Sequence, residues 1–353
     1  MFRRNYYKNK KIIITGHTGF KGSWLAFWLW MQGAKIYGIS IDIPSKPSLF
    51  NVLGLNKKIT NYFFDIREYK LIKKTINKIK PEFLFHLAAQ SIVSKSYEDP
   101  IYTYTTNIIG TTNILNSFIN YKSKCSLIII TSDKCYFNKE WELSYRENDQ
   151  LGGVDPYSAS KASCELIFYS YFKSFYEKHK CVRIVSCRAG NVIGGGDWSN
   201  NRIIPDIIKA WFGRSVLRIR NPKSIRPWQH VLDPLYGYML IGQKLHNDKS
   251  LNGISLNFGP NNKNNFQVIK VLAEMENNLG KINIKITKSN FGKEAKLLKL
   301  NCDKANELLQ WNCKLNFKKS LKFTSEWYKN YYQKKDMINI TKNQIEEYEI
   351  LVK

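Results

Sequence analysis

The chain begins with a short apolar run, Lys11 to Thr15 (KIIIT), then a glycine-punctuated turn, then apolar residues from Phe20 to Met31, long enough for a helix. The pattern then repeats. Lys35 to Ile39 and Ile59 to Phe64 read as strands, Glu68 to Ile79 as a helix and Glu82 to His86 (EFLFH) as a fourth strand. A helix follows from Ile101 to Asn120, then the strand Ser126 to Thr131 (SLIIIT). Tyr157 to His179 reads as a long helix and Cys181 to Cys187 as a sixth strand. Strands alternating with helices predict an α/β fold with a parallel sheet covered on both faces. Ligands of such sheets sit at the carboxyl ends of the strands.

After Arg188 the pattern changes. Gly194-Gly195-Gly196-Asp197 is a loop, and Arg202 to Phe212 reads as a helix with a proline in its first turns. Shorter elements and asparagine-rich turns follow, notably Pro260 to Asn265. This predicts a smaller, mixed α/β C-terminal part that closes over the sheet edge. The organisation is therefore a dinucleotide-type domain over 1–188, a ligand-binding part over 189–330 with segments returning to the first, and a polar tail over 331–353, read as a peripheral helix. No internal repeat is visible.

Composition narrows the class without deciding it. Among 353 residues, 43% are hydrophobic and 14% aromatic, which argues against disorder. Lys+Arg 55 against Asp+Glu 28 gives a formal charge of +27. The lysines are spread along the chain rather than gathered into an arm or a basic amphipathic helix, so neither nucleic acid nor membrane is expected as a partner. A lysine-biased surface and a field that attracts anionic substrates both remain open. No stretch reaches the roughly 18 apolar residues of a membrane helix. Seven cysteines, with no CxxC pair and no metal-ligand spacing, read as reduced thiols of a cytoplasmic protein without a metal site.

The first chemical motif is Gly16-His17-Thr18-Gly19-Phe20-Lys21-Gly22, between strand and helix. Glycines there let the backbone turn sharply and approach a pyrophosphate held at a helix N-terminus, a Rossmann-type arrangement. Gly16, Thr18, Gly19, Phe20 and Gly22 are the candidate contacts. Asp42 lies 20 residues beyond Gly22, where a carboxylate accepts from ribose hydroxyls and repels a 2′-phosphate, favouring NAD. Its alternative role is a turn before Pro44. Asp65-Ile66 is a candidate adenine contact. Leu87-Ala88-Ala89-Gln90 supplies small side chains along the cofactor's path, and Thr131 ends the fifth strand beside it.

The second motif is Tyr157-Ser158-Ala159-Ser160-Lys161. Its i, i+4 spacing puts phenol and ammonium on one helix face. A lysine beside a tyrosine favours the phenolate, which accepts a hydroxyl proton while a nicotinamide accepts the hydride. Ser132, after the fifth strand, is placed to hydrogen-bond the reacting hydroxyl. Asp133 and Lys134 form an acid–base pair, more than alcohol oxidation requires, with a helix cap and turn as the alternative.

Together these motifs resemble the extended short-chain dehydrogenase/reductase superfamily. Within it, GHTGFKGSW (16–24), TSDKCY (131–136), RAGNVIGGGDW (188–198) and RPWQHV (226–231) resemble CDP-glucose 4,6-dehydratases. The similarity runs from about Lys11 to Trp327. It implies that Tyr157 takes the sugar 4-hydroxyl proton, Lys161 holds the nicotinamide ribose and Ser132 assists. It also implies that Asp133 protonates the departing 6-hydroxyl. Related dehydratases carry Asp–Glu where this chain has Asp133–Lys134; a lysine base must be neutral, which needs burial or neighbouring cations. Asn191 is implied as a sugar-diphosphate contact.

Arg202, Arg220 and Arg226 are spaced to converge on a diphosphate, Arg226 most strongly because RPWQH resembles the family's diphosphate segment. His230 is a substrate contact or a satisfied structural histidine, and Trp198 and Trp228 read as core. The cytosine preference rests on the resemblance. An epimerase or reductase of the same superfamily needs Ser, Tyr and Lys but no acid–base pair, so Asp133-Lys134 discriminates. A dehydratase of another nucleotide sugar, and a non-catalytic NAD- or RNA-binding module, complete the alternatives. The resemblance also implies a homodimer or homotetramer built on the helices 101–120 and 157–179.

Overall fold

The computed structural model describes residues 5–219, 221–260, 265–287 and 297–353. Seven parallel strands form the central sheet: β1 (Lys11–Thr15), β2 (Lys35–Ser40), β3 (Thr60–Phe63), β4 (Phe83–His86), β5 (Cys125–Ile130), β6 (Val182–Ala189) and β7 (Ser255–Phe258), in the order β7-β6-β5-β4-β1-β2-β3. The order reverses between β1 and β4, and the cleft of a doubly wound sheet opens there. The seventh strand was not foreseen: SLNF is too short to read from periodicity, yet it pairs Ser255 with Ser186 and brings the C-terminal half back to the sheet.

Alternate strand residues feed two separate cores, which is why the strands read as continuous apolar runs. Ile12, Ile14, Ile128 and Ile130 point to one face, and Ile13, Leu127 and Ile129 to the other. On the first face lies α1 (Phe20–Met31), apolar nearly all round because it is buried nearly all round, from Gly22 to Leu29. Beside it runs the helix Leu232–Asn247. Over both pack Phe317–Tyr332 and Met337–Leu351.

The last of these corrects the reading of 331–353 as a polar, peripheral tail. Met337, Ile345 and Tyr348 are buried, Trp28 Nε1 donates to Glu349 Oε1 at 2.8 Å, and the Tyr348 hydroxyl donates to Asp233 at 2.9 Å. Its apolar positions are interleaved with polar ones, and their partners lie far away in sequence.

The second face is covered by Tyr69–Ile79 and by two long helices that sequence had drawn as uninterrupted. One runs Pro100–Tyr104, a π-helical turn Thr105–Ile109, then Gly110–Ser117. The other runs Pro156–Tyr171 and ends in a second π turn, Phe172–Tyr176. Asp155 caps it, accepting from the Ser158 backbone at 2.9 Å, with Pro156 in the first turn. That cap fixes where Tyr157 leaves the helix.

Beyond β6 the chain makes short two-stranded pairs: 192–193 with 229–230, 225–227 with 265–267, and 217–219 with 284–286. They hold the helix Ile203–Gly213 and the segments around Asn191 and Arg226 at the sheet's carboxyl edge.

Candidate active site

The glycine loop is tied to the sheet before any ligand is considered. Gly16 has φ +75°, and a Cβ there would sit 2.7 Å from the Ala88 backbone nitrogen, so only glycine fits. His17 wedges beneath, its two ring nitrogens facing Ser40 Oγ at 3.0 Å and Asn61 Oδ1 at 2.9 Å, and burial lowers it to about 4. Gly19 is the N-cap of α1, so no side chain covers the helix's first turn. The Thr18 hydroxyl donates to the Asp42 carbonyl at 2.7 Å, leaving the Asp42 side chain exposed at the end of β2. Close backbone, an uncapped helix start and an outward carboxylate suit a dinucleotide's pyrophosphate and ribose.

Not every expected cofactor contact is available as drawn. Asp65 is engaged by Arg67, whose Nη2 lies 2.6 Å from its carboxylate; burial raises Asp65, and Arg67 brings it net below its ordinary value. Ile66 is buried, its carbonyl accepting from Asn113. Gln90 is a correction: its amide donates to the Thr103 hydroxyl and the Ile92 carbonyl and accepts from the Ile92 N–H. It shapes the loop after Leu87-Ala88-Ala89 rather than reaching into the cleft. Thr131 likewise turns its hydroxyl away, to Glu165.

Tyr157 and Lys161 are both buried on one helix face, with Ser132 and Asp133 buried opposite. The Ser132 hydroxyl donates to Asp133 Oδ1 at 2.9 Å and accepts from the Lys134 N–H at 3.2 Å, so cap and chemistry share one residue. Lys134 is only partly buried. The expectation that the neighbouring lysine favours the Tyr157 phenolate meets an opposing effect in the protein alone. Burial pushes Tyr157 up to about 12, Asp133 adds to this, and the Ser132 hydrogen bond and Arg202 charge oppose it. Desolvation outweighs the nearby cations in the protein alone.

The substrate segments converge on the same carboxylate. A Cβ on Gly190, the residue before Asn191, would lie 3.4 Å from Asp133 Oδ2 and 3.8 Å from Pro227, the residue after Arg226. Arg202 pairs with Asp197 at 3.1 Å and its charge reaches both Tyr157 and Lys21. Arg226 is buried. Arg220 lies outside the described residues. Of the two readings of His230 the burial fits the structural one: it is fully buried, edge-on to Trp24 and Phe323, and held neutral by burial at about 3. It is a core histidine, as are Trp198 and Trp228 core tryptophans.

A family model described as GDP-mannose 4,6 dehydratase matches residues 13–324. The chain belongs to the GDP-mannose 4,6 dehydratase family. Within that family it is 41% identical to the CDP-glucose 4,6-dehydratase of Salmonella typhimurium over 99% of this chain and 98% of that one. It is 25% identical to a UDP-glucose 4-epimerase of Mycoplasma genitalium over 91% of this chain and 97% of that one. The fold matches a dTDP-glucose 4,6-dehydratase from Bacillus anthracis in complex with NAD, with TM-score 0.77, 22% identity, and 93% and 99% of the two chains covered. An epimerase from Methanothermobacter thermautotrophicus gives 0.81 at 22% identity, covering 93% and 95%.

Sequence reasoning missed three buried or partly buried charged residues beside this site. Lys21 lies in the glycine loop but was not among its candidate contacts. Its ammonium lies 3.4 Å from the Tyr238 hydroxyl, and burial lowers it to about 8, Lys161 and Arg202 adding and Asp133 opposing. Glu165 and Arg188 form a buried ion pair at 2.8 Å behind the catalytic loop. Glu165 was legible in principle, one turn beyond Lys161 on the same face.

Proposed function

We propose that this chain removes water from CDP-glucose, with NAD as cofactor, to give the 4-keto-6-deoxy sugar nucleotide. One observation carries this reading over epimerisation: a buried carboxylate, Asp133, is hydrogen-bonded to Ser132 across from Tyr157. Moving a hydride at C4 needs no such acid. Expelling a hydroxyl does.

Bound NAD supplies the acceptor for the C4 hydride and its return to C6. The protein's residues move the protons. Tyr157 accepts the 4-hydroxyl proton as the phenolate, which the Ser132 hydrogen bond and the Arg202 charge favour against burial, with Lys161 beside it. The resulting ketone acidifies C5–H, Lys134 takes that proton and gives it back to C5 when the hydride reaches C6, and Asp133 protonates the departing 6-hydroxyl. Arg202, Arg226 and Asn191 hold the diphosphate. Residues 1–188 thus serve cofactor and chemistry, and 189–330 mainly the sugar nucleotide.

The experiment is turnover of purified protein with CDP-glucose and NAD, followed by product analysis and absorbance at the NADH band. The expected result is 4-keto-6-deoxy product without net NADH, and a loss in kcat of about 10²–10⁴ in Tyr157→Phe. Stoichiometric NADH would instead mark a plain dehydrogenase. Parallel reactions with dTDP-, GDP- and UDP-glucose test the base preference.

We further infer a homodimer or homotetramer in the cytoplasm. Ile101, Leu166 and Tyr169 are 71%, 60% and 59% exposed on the two long helices of the second face, an apolar patch suited to a second copy. All seven cysteines are free thiols, which suits a reducing compartment. Among the described residues no helix is long and apolar enough to cross a membrane.

A further inference from the structure

Glu165 is 2% exposed and Arg188 3%, and together they make one hydrogen-bonded cluster behind the cleft. Glu165 accepts from the Thr131 hydroxyl through one carboxylate oxygen. Through the other it accepts from Arg188 Nη2 at 2.8 Å, Ser186 Oγ at 2.9 Å and Ser255 Oγ at 3.3 Å. Arg188 Nη1 donates to the Tyr136 hydroxyl at 2.8 Å and the Glu147 carbonyl at 2.9 Å. The Tyr136 hydroxyl in turn donates to Asn257 Oδ1 at 2.8 Å.

These bonds join the elements the chemistry must hold in register. Glu165 is on the helix of Tyr157 and Lys161. Thr131 immediately precedes Ser132, and Tyr136 follows the turn 133–135 that begins with Asp133. Arg188 is three residues before Asn191, on β6. A buried ion pair seldom improves stability over apolar packing, so its retention here needs another reason.

We propose that Glu165 and Arg188 are positioning residues: the buried pair locks the helix of Tyr157 and Lys161 to the strand end of Ser132 and Asp133, and to the Asn191 segment. This rests on the catalytic reading above. The cluster has an electrical consequence too. Burial lowers Lys161, and Cys164, Glu165 and Cys135 oppose this. Burial raises both thiols above their ordinary values, so both are neutral and Glu165 is the anion that sustains the ammonium. Lys21, from α1, and His86, from β4, also feel the Lys161 charge. Burial holds His86 neutral at about 3, and Lys21 adds like charge.

The test uses Glu165→Gln, which keeps size and an acceptor but removes the charge, and Thr131→Val, which removes one hydrogen bond and leaves the ion pair. In Glu165→Gln, kcat should fall by about tenfold or more with KM for CDP-glucose nearly unchanged, since alignment rather than binding is lost. Acetylation of Lys161, read by peptide mass spectrometry across pH, should begin about one pH unit lower. Thr131→Val should lose about threefold to tenfold in kcat with Lys161 labelling at the wild-type pH. Wild-type kcat in either variant, or a fall in Glu165→Gln with unmoved labelling, overturns the proposal. If Glu165→Gln fails to fold, Thr131→Val decides. Failure of the catalytic reading shows separately, as an active Tyr157→Phe, while labelling needs no turnover.

Discussion

The two faces of the sheet are finished differently. On the first, α1 and the helix 232–247 lie against the strands and are themselves roofed by the helices 317–332 and 337–351. Trp24, Trp28 and Trp327 are fully buried there. On the second, a single helical layer covers the strands, and its outer surface still shows Ile101, Ile109, Leu166 and Tyr169. One face is completed by the chain itself; the other keeps these apolar side chains exposed. The helix of Tyr157 and Lys161 belongs to the second face, with Tyr157 buried in the protein and Leu166 exposed on the outside.

Breaking the finished face should have the largest effect. Trp28→Ala removes a fully buried ring and the partner of Glu349, and should cost about 3–5 kcal/mol in urea unfolding. A cost under about 1 kcal/mol would mean the C-terminal helix is not part of the core. The second face should respond differently. Ile101→Glu with Leu166→Glu should leave each protomer folded yet weaken association by about 2 kcal/mol or more, seen by sedimentation as conversion to monomer. An assembly that survives places the contact elsewhere. The smallest effect belongs to the lysine-rich outer side of 69–79. Changing the exposed Lys70, Lys74 and Lys78 to Gln removes three of the +27 charges and should move unfolding by no more than about 0.5 kcal/mol. A larger change would make that charge structural rather than a solvated face.

Legibility in the sequence followed the range of the interactions. The strands of the sheet's first half read directly because each is an isolated apolar run, and Tyr157 and Lys161 because four residues of helix bring them together. Asp42 and the glycine loop read from spacing alone. Lys21 did not, because its meaning comes from Tyr238, Asp133 and Arg202, none of them near it in sequence. The π turns at 105–109 and 172–176 carry no periodicity that distinguishes them from α-helix, so both helices were drawn too regular. His230 read equally as contact or core, and packing between Trp24 and Phe323 is invisible until the fold is closed. The direction of the Tyr157 shift failed for a related reason. Neighbouring charge can be counted in a sequence, whereas depth of burial cannot.

The bond from Trp28 to Glu349 spans 321 positions, which sets a condition on how the protein is made. The strongly apolar helix of Trp28 leaves the ribosome 321 residues ahead of its last partner. At synthesis rates of about 5–20 residues per second, that helix waits roughly 15–60 s for its roof. During that interval it is the surface a chaperone would hold. Nascent chains arrested before residue 337 should therefore be cut by protease at 24–29, and full-length chains should not.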